Sequence, residues 1–130
     1  MHFLEYETWR LRPGIDPAGY EKIIQDWFKY VSENRETLFP EWISAKYYRK
    51  TDIDGLPTGE FVMLFEYDSL EGHHAYKERR KNWDGPYTTY KSVDPYQEYF
   101  ELTSVTTEYF QPLEVDKWFT FPSKTDDPQS

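Results

Sequence analysis

Few residues in this sequence can do proton chemistry near neutral pH. The 130 residues include three histidines and no cysteine. That removes a Cys nucleophile, a thiolate metal site and a disulfide framework. His73 and His74 stand side by side, and either can act as a proton donor or acceptor. The structural alternative is that one ring is solvated and the other packs under the end of a sheet. Neighbours on a helix point roughly 100° apart, so the pair is poorly placed to share a metal ion. No metal site is expected.

Glu66 follows the most apolar run, Phe61-Val62-Met63-Leu64-Phe65. A carboxylate there is costly to bury alone. It faces solvent, pairs with a cation such as Arg10 or Arg49, or acts as a base with a raised pKa. His74, His73 and Glu66 are therefore the candidate catalytic residues. The candidate ligand contacts are Tyr6, Arg10, Tyr47, Arg49 and Tyr76, with Trp83 and Tyr87 on either side of a Gly-Pro break. Those last rings either wall a pocket or anchor an irregular loop.

The elements that must carry these residues can be traced along the chain. His2–Arg12 reads as a strand closed by Pro13-Gly14. Leu4 and Tyr6 point to one side, and Phe3, Trp9 and Leu11 to the other. Asp16-Pro17 opens a helix, with Asp16 as cap. Tyr20, Ile23, Ile24, Trp27, Phe28 and Val31 then recur at helical spacing. This helix is expected to end near 35–37. Strands at 42–50 and 60–67 flank a turn around Asp54-Gly55. The second is apolar enough to be central and the first lies nearer an edge. Asp68 reads as the cap of a second helix, with Glu71 completing a capping box. The apolar stripe of that helix is weak, so it covers little core or lines something polar. Short helical turns at 87–93 and 96–101 precede a last strand at 103–111.

Composition bounds the function. The formal net charge is −9, which argues against nucleic acid and anionic membranes as partners. No stretch is long and apolar enough to span a bilayer. The first residues lack the basic and apolar regions of a secretory signal, so a cytoplasmic location is expected. Aromatic residues make up 20% of the chain, enough to build a core that the sparse aliphatic residues cannot. One domain over residues 1–112 is expected, with a tail at 113–130 whose aromatic segment docks and whose end frays.

The order β-α-β-β-α-β predicts an α+β protein of ferredoxin-like build, with a four-stranded antiparallel sheet and helices on one face. The other face also carries large apolar groups and needs a cover. A second copy of the sheet supplies it, giving a homodimer. With this order, the Asp68-Ser69-Leu70-Glu71 turn and the aromatic segment near Trp83, residues 2–111 resemble the dimeric α+β barrel superfamily. That superfamily includes antibiotic-biosynthesis-type monooxygenases, haem-degrading enzymes, sugar mutarotases and stress-responsive proteins. In the haem-degrading members a helix-borne His ligates iron. Here the His pair sits at the helix start, and neither Asn34 nor Asn82 matches that family's Asn. No cofactor is expected.

Two functional expectations follow. In the first, a small organic molecule sits between sheet and helices, and any chemistry is cofactor-free oxygenation or proton transfer. In the second, the dimer is a non-catalytic binding or structural module with a filled interior. A cavity of roughly 300 Å³ or more containing a His and a carboxylate favours the first.

Overall fold

A computed structural model describes residues 2–81, 87–113 and 119–122. Trp83, the Gly-Pro break after it and Trp118 lie outside the described residues. The strands are β1 (Phe3–Arg10), β2 (Trp42–Thr51), β3 (Pro57–Tyr67) and β4 (Thr106–Phe110). The helices are α1 (Pro17–Glu33), α2 (Arg35–Leu38), α3 (Leu70–Arg80), α4 (Thr88–Val93) and α5 (Tyr96–Tyr99). The strands form one antiparallel sheet in the order β2-β3-β1-β4. As the sequence predicts, β3 is central and β2 lies at an edge.

α1 begins as expected. The Asp16 carboxylate accepts the Gly19 N–H at 3.1 Å, and Pro17 fills the first turn. Its inward residues Tyr20, Ile24, Trp27 and Val31 are buried. The chain leaves α1 at Asn34 and resumes as α2, so the single helix end expected near 35–37 is two short steps. β1 is shorter than the expected His2–Arg12, β3 starts at Pro57 rather than at 60, and two further boundaries also differ from expectation. Ser69, not Asp68, caps α3, its hydroxyl accepting the Gly72 N–H at 2.8 Å. The Asp68 N–H is held by the Glu41 carbonyl at 2.8 Å, which keeps Asp68 outside the helix. β4 starts at Thr106 rather than at 103 because residues Leu102–Ser104 form a 3-10 turn. There the Ser104 hydroxyl takes the Arg10 N–H that a longer strand would have paired.

Alternation along β1 puts Phe3, Glu5, Glu7 and Trp9 towards the helices, and Leu4, Tyr6, Thr8 and Arg10 on the opposite face. Helix-side packing is dominated by rings. Trp9 stacks on Phe100 at 4.3 Å, and Phe39 meets Trp42 at 4.6 Å. The other sheet face carries Tyr6, Tyr48 and Phe110, all exposed, with Ile43 exposed at its margin. Phe119 and Phe121 pack against each other at 5.2 Å and are exposed rather than docked on the body of their own chain. Among the described residues no helix is long and apolar enough to cross a membrane.

Candidate functional site

Between the helix-side sheet face and the helices lies a cavity of about 310 Å³. β1 supplies Glu5, Glu7 and Trp9 to its lining, and β3 supplies Met63, Phe65 and Tyr67. α1 adds Ile24 and Trp27, α3 adds Lys77 and Arg80, and Tyr90, Asp94 and Phe100 lie on the remaining side. Half of the described lining residues are aromatic, with three carboxylates and two cations set among them.

Each charge is placed by its element. β-alternation turns Glu5 inward, where it is 2% exposed. Burying that carboxylate requires partners. His73 Nε2 lies 3.0 Å from Glu5 Oε1, and Lys77 Nζ lies 3.5 Å from the same oxygen. His73 and Lys77 come from successive turns of α3, the i, i+4 spacing that aligns side chains on one helix face. Burial lowers the His73 pKa against the opposing pull of Glu5. The neutral ring therefore donates from Nε2, while its buried Nδ1 has no hydrogen-bond partner among the described residues. Arg80 Nη2 lies 3.8 Å from Asp94 Oδ2, and Asp94 also accepts the Tyr96 N–H at 3.0 Å. Burial raises the Asp94 pKa against these partners and Lys77.

Glu7 differs from both. No described side chain hydrogen-bonds to it. Burial first, then the charges of Glu5 and Asp94, push its pKa up to about 7, with Lys77 and Arg80 pulling the other way. A carboxyl group with that value can both take and give a proton at neutral pH.

Among the described residues no three His, Asp or Glu side chains converge to hold a metal ion. Trp42, another lining residue, keeps its buried indole N–H without an acceptor among the described residues.

No family model and no curated protein matches this sequence. Solved structures do match in shape. A dimeric protein of unknown function and ferredoxin-like fold from Bacteroides fragilis aligns at 9% identity with a TM-score of 0.54, over 85% of this chain and 95% of that one. A DABB family protein with a ferredoxin-like fold from Mesorhizobium loti aligns at 13% identity and TM-score 0.56, over 88% and 100%. The hydroxynitrile lyase of Passiflora edulis aligns at 13% identity and TM-score 0.55, over 93% and 97%. This chain has the ferredoxin-like α+β fold. At such identities the likeness carries the fold alone, and the site must be argued from its own residues.

On the ferredoxin-like sheet the residues singled out from sequence separate. His73 stands one hydrogen bond behind the cavity wall, through Glu5, whereas His74 is exposed. Glu66 lies on the opposite sheet face, hydrogen-bonded to His2 and to the Ser44 hydroxyl. The expected partners of Glu66 are engaged elsewhere. Register sets Arg10 opposite Glu60, 3.0 Å away, and Arg49 reaches Glu21 on α1 at 2.9 Å. Tyr6 shares the outer face with Glu66 and meets Phe110 edge-on. Tyr47 stacks on Phe61 at 5.7 Å, its buried hydroxyl without a partner among the described residues. Tyr76 is fully buried behind Arg80, whose guanidinium lies 3.4 Å from the phenol oxygen. Tyr87 donates to the Leu38 carbonyl and accepts from Arg79, tying α2 to α3. Sequence reasoning passed over Glu5, Glu7, Lys77, Arg80 and Asp94. The signal for the first two was present: they occupy the alternate positions between Phe3 and Trp9.

Proposed function

We propose that this chain binds a small organic molecule with an apolar body in the sheet–helix cavity, and that Glu7 exchanges a proton there. The observation that carries this reading is the Glu7 carboxyl, set in an aromatic cavity, without a hydrogen-bond partner among the described residues and poised near pH 7. His73 and Lys77 pair with Glu5 beside it, and Glu5 helps to raise the Glu7 pKa. The proton-transfer role thus falls to Glu7, with His73 as a positioning residue. Carbon-detected NMR of the side-chain carboxyls tests the reading. Glu7 should titrate near pH 7 and move when a ligand enters. A midpoint in the ordinary carboxylate range, near 4.5, overturns it.

The same chain pairs with a second copy through the sheet face away from the helices. Tyr6, Tyr48 and Phe110 there are rings that the chain's own helices leave uncovered, and a solved relative of the same fold is described as dimeric. Sedimentation should give twice the 15.8 kDa chain mass. Tyr48→Glu should give the monomer. A wild-type monomer at micromolar concentration refutes the pairing.

A further inference from the structure

The cavity also selects for charge. Among the described residues its acidic and basic lining is Glu5, Glu7 and Asp94 against Lys77 and Arg80. Lys77 is engaged with Glu5 at 3.5 Å, and Arg80 with Asp94 at 3.8 Å. Both cations also sit over the Tyr76 ring, 5.8 Å from its centre. Glu7 is the carboxylate left over, so the described lining carries one excess negative charge whenever Glu7 is ionised. Trp9, Trp27, Phe65 and Tyr90 line the same cavity. Aromatic faces attract cations, most strongly where water is excluded. An anionic ligand would meet the opposite situation, a like charge in a partly dry site.

We infer that the ligand is a monocationic organic amine with an aromatic or other apolar body, its ammonium donating to the Glu7 carboxylate. This rests on the cavity being a ligand site, as proposed above, and adds the ligand's charge. No covalent step is involved. A Glu7 that is protonated beforehand releases that proton to solvent as the ammonium enters. The groups facing Glu7 are Glu5 on its own strand, Lys77 and Arg80 on α3, Asp94 after α4, and the phenols of Tyr20 on α1 and Tyr109 on β4. Both phenols are pushed above their ordinary value by burial, so neither ionises in the range where Glu7 does.

The test compares three probes of one shape: phenethylamine, 2-phenylethanol and 3-phenylpropionate. Calorimetry or NMR titration on the intact protein at about pH 6 and about pH 8 gives their affinities. Phenethylamine should bind roughly tenfold more tightly at the higher pH, following Glu7 ionisation, and should exceed 2-phenylethanol there by a similar factor. Glu7→Gln should remove the pH dependence and the advantage while leaving 2-phenylethanol binding intact, which also shows that the variant folds. Equal binding of amine and alcohol, or preference for the carboxylate, overturns the charge assignment and leaves the cavity reading standing. Failure of all three probes to bind at millimolar concentration overturns both.

Discussion

α1 and α3 lie on the same side of one sheet and are built on opposite plans. α1 turns Tyr20, Ile24, Trp27 and Val31 inward. α3 buries only Gly72, His73 and Tyr76 and sends Lys77 and Arg80 towards the carboxylates of β1 and Asp94. One helix supplies burial and the other supplies charge. The difference teaches that a weak apolar stripe need not mean a loosely held helix. It can mean that the facing strand is polar too, as Glu5 and Glu7 on β1 are here. The two plans are complementary, because a polar helix can be kept over a half-polar strand only if rings elsewhere anchor the layer.

The contrast predicts unequal costs. Tyr20 is 1% exposed, accepts the Trp9 indole N–H at 3.1 Å and does not line the cavity. Tyr20→Ala should destabilise by about 3–5 kcal/mol in chemical denaturation, the cost typical of a deleted buried ring. Lys77→Met on α3 should cost less, about 1–3 kcal/mol, because Lys77 itself is partly exposed and His73 still serves the buried Glu5 carboxylate. Equal costs for the two would break the comparison.

Next in size is a gain. Burial lifts the Glu7 pKa to about 7 from an ordinary 4.5. Its folded pKa exceeds its unfolded one, so the folded chain keeps a proton that the unfolded chain releases. The corresponding stability is fully present below pH 4.5 and is lost as pH rises through about 7. Glu7→Gln should therefore stabilise the protein at about pH 8 by at most ~3 kcal/mol and have little effect at acid pH. Denaturation midpoints at the two pH values decide this. A loss of stability in the variant at the higher pH would show that the Glu7 charge supports the fold rather than serving the cavity.

His73 works with the opposite sign. Its folded pKa is lowered by burial from 6.5, so the unfolded chain takes up a proton that the folded chain refuses. Stability falls as pH drops through 6.5 towards the folded value. In wild-type protein this loss offsets the gain from Glu7 over the same range. His73→Gln, keeping an N–H for Glu5, should cost roughly 1–2 kcal/mol and expose the Glu7 gain as a rise in stability on acidification. Glu7→Gln should expose the His73 loss as a fall. Two variants with the same slope would mean that the groups are not separately buried.

The legible parts of this molecule were those where residue type and period agree. α1 was readable because six apolar residues recur at helical spacing between a capping Asp and a polar outer face. β3 was readable because its run is apolar on both sides, as a central strand requires. The site was less so. Glu66 drew attention as a lone carboxylate in apolar company, yet strand parity puts it on the sheet face opposite the cavity. Glu5 and Glu7 share parity with Phe3 and Trp9, but a charged residue at an inward position runs against the expected pattern. The partners of Glu5, His73 and Lys77, lie about seventy residues away, a separation that only the folded sheet closes.

The smallest expected effect is also the sharpest check on α3, because it compares neighbours. His73 and His74 are adjacent, with ring centres 5.7 Å apart. One faces Glu5 and the other faces solvent. Exposed side chains without special contacts contribute within about 0.5 kcal/mol, so His74→Ala should leave stability and probe binding unchanged. His73→Gln should move the stability. The same ring type one residue apart then reports only the side of the helix it occupies. If His74→Ala matched His73→Gln in its effect on stability, the helix would be turned differently from the arrangement described, and Lys77 and Arg80 would no longer face the carboxylates of the cavity.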